Sequence, residues 1–189
     1  RATIVGMTHH GYLNLGGVEQ LQSVLDHRLQ IPAEQYLAVR SDLIPEGAPR
    51  PVAGTVFDFG DAKPIIRDLR TADEQLLKAQ GYDHCFCLAD APSDAPRLVA
   101  RLEDPRSGRV LELLSDQPGL QFYSGNMLDG SSVGKYGQIA RQGDALCLEP
   151  QAWPDAPNRP DFPSARLEAG ETYRHQAIYR FSARTPGTK

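Results

Sequence analysis

RVLELLSDQPGLQFYSGN, residues 109–126, contains two strand-like runs on either side of a short turn. Both runs are mainly apolar and carry polar side chains at intervening positions, a pattern typical of strands that pack one face on a core. The segment between them, DQPG at residues 116–119, contains the Pro and Gly that tight turns favour. We therefore predict a pair of neighbouring strands joined by this turn.

Other segments extend the same period of two over the chain. QSVLDHRLQI, residues 22–31, alternates polar and apolar side chains. ETYRHQAIYRFS, residues 171–182, places five side chains on one face: Tyr173, His175, Ala177, Tyr179 and Phe181. Short runs of this kind, separated by Gly, Pro, Asn and Asp at intervals of roughly 8–15 residues, predict an all-β sandwich.

One segment, LRTADEQLLKAQG at residues 69–81, is compatible with one or two helical turns. Thr71 and Glu74 have the spacing of a capping box, and Gly81 stands where a glycine commonly ends a helix. This is the one segment for which the sequence allows a helix, and a loop without helical turns remains the alternative.

Composition indicates an ordinary globular protein. The 189 residues are 40% hydrophobic and 23% charged, which suits a single β-sandwich domain over residues 1–189. The net charge is -4 and the basic residues form no stripe, so we expect no nucleic-acid partner. No apolar run approaches the ~18 residues of a membrane span, so we expect no membrane partner.

The three cysteines, Cys85, Cys87 and Cys147, are expected to be small packing residues. In a strand, Cys85 and Cys87 project from one face with a single residue between them, which is a poor spacing for a disulfide and unlike a metal site. Free cysteines favour a reducing compartment, so we expect a cytoplasmic location.

MTHHGYLNL, residues 7–15, contains two adjacent histidines. Neighbouring side chains of a strand point to opposite faces, so at most one of His9 and His10 can share a pocket with a given partner. An imidazole suits proton transfer near neutral pH, but a His–His pair is also compatible with a structural role.

Glu149 stands at the end of the apolar run ALCL, residues 145–148, and five prolines follow in the next fourteen residues. A carboxylate at the edge of a core is costly without partners, and burial perturbs its pKa in the direction useful to a general base. The proline-rich segment would fix that geometry. A hydrogen-bonded structural Glu is the alternative. Trp153, in the same segment, either packs internally or stacks on a sugar ring.

Two further residues could bind hydroxyl groups. Asp83, in GYDHCFCL at residues 81–88, is either a turn-capping residue or a hydroxyl acceptor or acid–base partner. The amide of Gln121 can both donate and accept, which suits sugar hydroxyls, although a structural role is the simpler interpretation. The sequence contains no phosphate-binding glycine loop, zinc-ligand pattern or nucleophile elbow.

Seven stretches, taken together, resemble the aldose 1-epimerases, the galactose mutarotase family, in order and spacing from residue 3 to about residue 182. They are THHGYLNL, LDHRLQIPAEQYLAV, LIPEGAPRPVAGTVFDF, GYDHCFCL, VLELLSDQPGLQFYSGNML, CLEPQAWPDAPNRPDFPS and LEAGETYRHQAIYRFS. The resemblance implies a large antiparallel β-sandwich of the mutarotase type. It also implies an isomerase that interconverts the α and β anomers of free aldohexoses such as galactose and glucose, with no cofactor and no metal.

The same resemblance implies a role for each candidate residue. Glu149 matches the family's base and His10 its acid, while Asp83 and Gln121 match residues that bind sugar hydroxyls. His9 falls where the family usually has Asn, and Gly11 where Ser is common. Pro150 directly follows the base and should restrict Glu149 to extended backbone angles.

Family members are roughly twice as long as this chain, and the resemblance implies that an N-terminal segment with early strands, an arginine and another histidine is missing. We expect that segment of the same protein to be a partner, and these residues alone to form a poor enzyme. Two alternatives remain open. One is a sugar-binding or regulatory protein on the same fold, and the other is a glycoside hydrolase or lyase with Asp83 and Glu149 as its carboxylate pair.

Overall fold

A computed structural model describes residues 1–19 and 21–184 of the chain. In these residues it contains short strands, two α-helices, α1 (Ile66–Leu69) and α2 (Glu74–Ala79), and two 3₁₀ turns (Val24–Asp26 and Ala156–Asn158). The strands are β1 (Thr3–Ile4), β2 (Arg28–Gln30), β3 (Gln35–Tyr36), β4 (Arg50–Pro51), β5 (Lys63–Pro64), β6 (Asp83–Cys87), β7 (Arg97–Glu103), β8 (Arg109–Ser115), β9 (Gly119–Tyr123), β10 (Asp129–Val133), β11 (Ile139–Arg141), β12 (Cys147–Gln151), β13 (Arg166–Leu167) and β14 (Ala177–Ala183).

Two five-stranded sheets form the sandwich. The front sheet has the order β12-β9-β6-β3-β4, and the back sheet has the order β14-β8-β7-β2-β5. Strands β1 and β13, and strands β10 and β11, form separate two-stranded sheets. Every strand pair assigned in the described residues is antiparallel. The predicted all-β antiparallel fold is confirmed.

One hydrophobic core contains side chains of both sheets. The front sheet contributes Tyr36, Phe86, Leu120, Phe122 and Leu148, and the back sheet contributes Leu29, Ala100, Leu102, Leu111 and Leu113. Phe57 and Phe59, in the connection between β4 and β5, are fully enclosed among them. Successive side chains of a strand point to opposite faces, so the neighbours of these inward residues in the front sheet lie on its outer face.

The predicted pairing of the two runs in residues 109–126 is wrong. Strand β8 pairs with β7 and β14 in the back sheet, whereas β9 pairs with β6 and β12 in the front sheet. The DQPG segment therefore crosses between sheets. Buried side chains in this crossing (Asp116 and Gln117) and backbone bonds such as that from Leu88 N to Pro118 O hold it. Alternation identifies the face of a residue but not the partner of its strand.

Two other strand predictions are only partly right. Residues 22–31 begin with the 3₁₀ turn at Val24–Asp26, where the Ser23 hydroxyl accepts from Leu25 N, and only β2 is a strand. Side-chain capping of this kind competes with strand pairing. In residues 171–182 the strand begins at Ala177.

The predicted helix in residues 69–81 is present as α2, preceded by the single turn α1. Its cap is Asp73 rather than Thr71, because the Asp73 carboxylate accepts from Gln75 N and Leu76 N. Gln80 is left-handed, and Gly81 N closes the helix on Leu76 O at 2.9 Å. Neither these helices nor any other in the described residues is long and apolar enough to cross a membrane.

Candidate functional site

The outer face of the front sheet presents two rows of side chains. Residues directly opposite each other in antiparallel strands share a face, and so do residues two positions apart. The registers of β6, β9 and β12 therefore align Cys85, Gln121 and Glu149 in one row and Asp83, Tyr123 and Cys147 in the next. The predicted residues Asp83, Gln121 and Glu149 thus lie on one surface.

Residues 8–13 run along the free edge of β12 and bring His10 to this surface. Leu13 and Leu146 exchange two backbone hydrogen bonds of 2.7 and 3.1 Å in an antiparallel bridge, and the Thr8 hydroxyl donates to Pro150 O at 2.8 Å. His10 is three residues before Leu13, and Glu149 is three residues after Leu146. The antiparallel register of the Leu13–Leu146 bridge therefore places His10 opposite Glu149. The segment is extended, but Leu13 is its only residue in a β-bridge.

The two histidines point in different directions, as the strand-like alternation predicts. His10 Nε2 lies 3.7 Å from Glu149 Oε1. His9 Nδ1 lies 3.1 Å from the Tyr179 hydroxyl, which belongs to the edge strand of the back sheet. Only His10 can share a pocket with Glu149.

Glu149 is a buried carboxyl group beside an exposed imidazole. Its side chain is 7% exposed, whereas that of His10 is 54% exposed. Burial raises the pKa of Glu149, the nearby His10 lowers it, and the negative charge of Asp83 raises it further. A carboxylate held with a raised pKa is a stronger base than a free glutamate, and a proton that it accepts is better retained.

Asp83 and Gln121 form a second polar pair. Gln121 Nε2 donates to Asp83 Oδ1 at 2.7 Å. This bond fixes the amide and leaves Gln121 Oε1 buried without a hydrogen-bond partner. Burial raises the pKa of Asp83, against the lowering effects of the Gln121 bond and of His10. An orphaned buried acceptor is costly, so a ligand hydroxyl that donates to Gln121 Oε1 would be bound favourably.

Three neighbours of these residues were not predicted as site residues: Tyr12, Tyr123 and Cys147. The Tyr12 ring is 5.4 Å from the His10 ring and 6.3 Å from the Tyr123 ring, between ring centroids. The Tyr123 hydroxyl accepts from Met127 N at 2.7 Å, which anchors the turn after β9. Each of the three lies two positions from a predicted residue on the same strand or extended segment, so strict alternation would have indicated them.

Cys147 Sγ lies 3.5 Å from His10 Nδ1. Burial raises the pKa of this thiol to about 12, and the charges of Glu149 and Asp83 add to the rise. The thiol is therefore protonated at neutral pH.

The proline-rich segment after β12 covers the rest of the outer face. A second hydrophobic cluster there contains Leu37, Cys85, Cys87, Trp153, Ala156 and Phe162. Trp153 is 5% exposed, its indole N–H donates to Pro118 O at 3.1 Å, and its ring meets Phe162 edge-on. Trp153 thus packs internally, and Cys85 and Cys87 are free, buried packing residues as predicted.

The outer face of the front sheet is therefore divided into two parts. We call the cluster beneath the proline-rich segment the covered part. The open part consists of His10, Tyr12, Asp83, Gln121, Tyr123, Cys147 and Glu149. The open part joins a carboxylate, an imidazole, an unpartnered amide oxygen and an exposed aromatic ring, which is a set suited to proton transfer on a hydroxylated ligand.

Comparison with protein families gives a match to the aldose 1-epimerase family over residues 1–180. The galactose mutarotase of Mus musculus is 42% identical over 182 residues, which cover 96% of this chain and 51% of the relative. The aldose 1-epimerase of Escherichia coli (strain K12) is 39% identical over 191 residues, covering 97% of this chain and 54% of the relative. The chain spans about half the length of the curated relatives it matches.

Solved structures of aldose epimerases also resemble this chain in fold. An aldose epimerase homologue from C. elegans superposes with a TM-score of 0.82 at 28% identity, covering 96% of this chain and 52% of the other. Galactose 1-epimerase from Lactobacillus acidophilus NCFM superposes with a TM-score of 0.75 at 26% identity, covering 97% and 50%.

Proposed function

This chain belongs to the aldose 1-epimerase family, and from that membership we propose that it carries the acid–base groups of an enzyme that interconverts the α and β anomers of free aldohexoses. The substrates we propose are monosaccharides such as galactose and glucose. The relatives' names support this reaction, and the open part of the front sheet supplies groups for each of its steps. We also propose that residues 1–189 belong to one β-sandwich domain.

In this proposal Glu149 is the base for ring opening. Its carboxylate takes the proton from O1 of the cyclic sugar, and the O1–H electron pair forms the C1 carbonyl while the C1–O5 bond breaks. The burial that raises the pKa of Glu149 supports this role, because it strengthens the base.

His10 is the acid in the same step. Its protonated imidazole gives a proton to O5 as the C1–O5 bond breaks, which completes the open-chain aldehyde. After rotation about the C1–C2 bond, O5 attacks the other face of the carbonyl. His10 then recovers the proton from O5, and Glu149 returns its proton to O1. Both side chains end in their starting states, so the cycle consumes nothing.

Asp83 and Gln121 bind the sugar's other hydroxyl groups in this proposal. The Asp83 carboxylate accepts from one hydroxyl while it holds Gln121, and the free Gln121 Oε1 accepts from another. Hydrogen bonds to a charged partner such as Asp83 contribute roughly 1.5–3 kcal/mol each. They would orient C1 toward Glu149 and His10.

The observation that carries the proposal is the 3.7 Å between His10 Nε2 and Glu149 Oε1. O1 and O5 are both bonded to C1, so the base and the acid that serve them must lie within a few ångströms of each other. Of the alternatives, a glycoside hydrolase is less well supported. Asp83 and Glu149 lie on strands separated by β9, and the Asp83 carboxylate is already hydrogen-bonded to Gln121.

Optical rotation tests the proposal directly. Freshly dissolved α-D-galactose and α-D-glucose would be followed with this chain and with a fusion that adds the part of the mouse relative outside the matched region. We expect the fusion to accelerate the approach to equilibrium and Glu149→Gln in the fusion to abolish the acceleration. The added part alone, which lacks Glu149 and His10, is the control. A silent fusion that still binds galactose would favour the sugar-binding alternative and overturn the enzyme proposal.

A further inference from the structure

Three side chains of the open part could together bind a metal ion, although the proposed reaction requires no metal. His10, Cys147 and Glu149 each present one donor atom, a ring nitrogen, a sulfur and a carboxylate oxygen, and these atoms lie within 4.8 Å of one another. Among the pairs, His10 Nδ1 to Cys147 Sγ is 3.5 Å and His10 Nε2 to Glu149 Oε1 is 3.7 Å. We propose that this trio binds Zn²⁺ as an inhibitory cation that excludes sugar from the acid–base pair.

The donor set determines which cation fits. Imidazole, thiolate and carboxylate are the ligands that Zn²⁺ takes, whereas Mg²⁺ and Ca²⁺ require oxygen ligands throughout. With metal–ligand bonds of roughly 2.0–2.3 Å, donor atoms on a tetrahedral Zn²⁺ lie about 3.3–3.8 Å apart. The 3.5 and 3.7 Å spacings involve different nitrogens of the His10 ring, so Zn²⁺ binding requires this ring to turn and the three donor atoms, now within 4.8 Å of one another, to contract by up to about 1 Å. Three protein ligands leave a fourth position open to water.

Two of the three ligands are held by a strand, and the third has room to move. Cys147 and Glu149 are buried on one face of β12 with one residue between them, so their donor atoms converge on the same surface. His10 comes from the separate segment beside β12, and its half-exposed ring can turn to bring one nitrogen into line with both. Ligands on two segments, with a Cys-x-Glu spacing, match none of the common zinc-binding sequence patterns.

Charge also favours the cation. Zn²⁺ would replace the proton of the Cys147 thiol, which passes to water, and would meet the carboxylate of Glu149 and a neutral His10. The two negative ligands neutralise the two positive charges of the ion, and no oxidation or reduction is involved. A buried carboxylate whose neighbour is an exposed imidazole gains a stronger partner in Zn²⁺.

Binding at this site has a direct consequence for the proposed reaction. A cation held by Glu149 and His10 occupies the base and the acid, so sugar and Zn²⁺ cannot bind together. The binding itself does not rest on the proposed function, since it can be measured without sugar.

Cobalt substitution tests the site in the absence of any activity. Co²⁺ added to the chain should give the near-ultraviolet thiolate-to-cobalt absorption and the visible bands of a tetrahedral ion, and Zn²⁺ should bleach both. Cys147→Ser should remove the thiolate band and weaken binding more than about 10–100-fold, the range seen for lesser changes around metal ligands. Cys85→Ser, a change of another buried cysteine on the same face, is the matched control and should retain the spectrum.

His10→Gln provides a variant that is safe for folding, because the side chain is half exposed. It should weaken Co²⁺ binding similarly while the circular dichroism spectrum stays unchanged. Retention of the thiolate band in Cys147→Ser, or equal Co²⁺ affinity of His10→Gln and the unchanged chain, would overturn the proposal. In the fusion, Zn²⁺ should inhibit mutarotation competitively with galactose. A fusion that is inactive but still binds Co²⁺ would reject the proposed function alone.

Discussion

The covered and open parts of the front sheet lie on the same outer face and share strand β6, yet one is apolar and the other polar. In the covered part, Cys85 and Cys87 pack beneath Trp153 and Phe162. In the open part, the partly buried Asp83 lies two residues before Cys85 on β6, and Glu149 on β12 is a buried carboxyl group beside the half-exposed His10. The difference is the covering segment: where the proline-rich chain closes over the sheet the side chains are apolar, and where it does not they are polar.

From this contrast we expect the covered part to contribute to stability and the open part to contribute to catalysis. Burying apolar side chains stabilises the fold, whereas burying an ionisable group with a raised pKa destabilises it when the group is charged. Substitutions in the two parts should therefore change different properties.

Glu149→Gln should have the largest effect. In the fusion we expect the rate of mutarotation to fall by roughly 10²–10⁴-fold, because a positioned general base is lost. The same variant should be more stable than the parent at neutral pH. The folded-state pKa of Glu149 is raised, so its contribution to stability is present below the ordinary glutamate pKa and is lost as pH rises through the raised pKa.

Polarimetry and urea unfolding at several pH values measure both changes. The stability advantage of Glu149→Gln should shrink as the pH falls through the raised pKa of Glu149 and should disappear below the ordinary glutamate pKa. An active Glu149→Gln fusion, or a variant less stable than the parent at neutral pH, would remove the distinction between the two parts. Glu168→Gln, an exposed residue remote from the open part in the β1–β13 region, is the control.

Trp153→Ala should lower the stability of the fold without removing a group that takes part in the reaction, the opposite of Glu149→Gln. Removal of a buried indole from the covered part should cost about 3–5 kcal/mol of unfolding free energy, from the lost packing and the cavity left behind. Trp153→Phe keeps most of the ring but loses the hydrogen bond to Pro118 O, so its cost should be smaller. Neither change should alter the KM of the folded protein for galactose. A higher KM for Trp153→Phe without loss of stability would indicate that Trp153 contacts the sugar.

Asp83→Asn tests how the charges in the open part affect one another. The negative charge of Asp83 raises the pKa of Glu149, so its removal should lower that pKa. Because the base must be ionised, the acid limb of the kcat/KM profile should move to lower pH. The loss of a charged hydrogen-bond acceptor should also reduce kcat/KM by about 10–100-fold.

The shift of the acid limb is the measurement that distinguishes an electrostatic role from simple loss of binding. In Asp83→Asn the new side-chain carbonyl can still accept from the Gln121 amide, so Gln121→Ala, which leaves the charge of Asp83 in place, is the matched control. We expect Gln121→Ala to reduce kcat/KM without moving the acid limb downward. An Asp83→Asn profile with an unchanged limb would show that this carboxylate does not affect Glu149.

Much of this division could be read from alternation along the chain. Gln121 and Tyr123 share a face, as do Cys147 and Glu149, because each pair is two residues apart in a strand. The partners of each strand could not be read in this way. The DQPG segment has the residues of a hairpin turn but passes between the sheets, since a turn's sequence does not carry information about distant pairing partners.

The meeting of His10 and Glu149 depends on the most distant pairing in the site. It follows from the bridge between Leu13 and Leu146, and residues this far apart in sequence are brought together only by the complete fold. Sequence spacing could not indicate that contact, whereas the family resemblance implied complementary roles for the two residues in one reaction. The same resemblance gave no role to Cys147, because a thiol in an apolar strand is usually a packing residue.

The smallest expected effect concerns the segment that carries His10, in which two residues depart from the family's usual choice. The His9 ring lies over Gly11, so a Cβ at position 11 would collide with it. Gly11→Ser should therefore displace His9 from the Tyr179 hydroxyl and cost about 0.5–1.5 kcal/mol, the value of one such hydrogen bond. His9→Asn removes the obstruction, and Ser should then be accommodated. In a double-mutant cycle of unfolding free energies, the two costs should be less than additive, because His9 and Gly11 are adapted to each other. Additive costs would mean that the two departures are independent, and that the segment beside β12 tolerates either residue without adjusting the other.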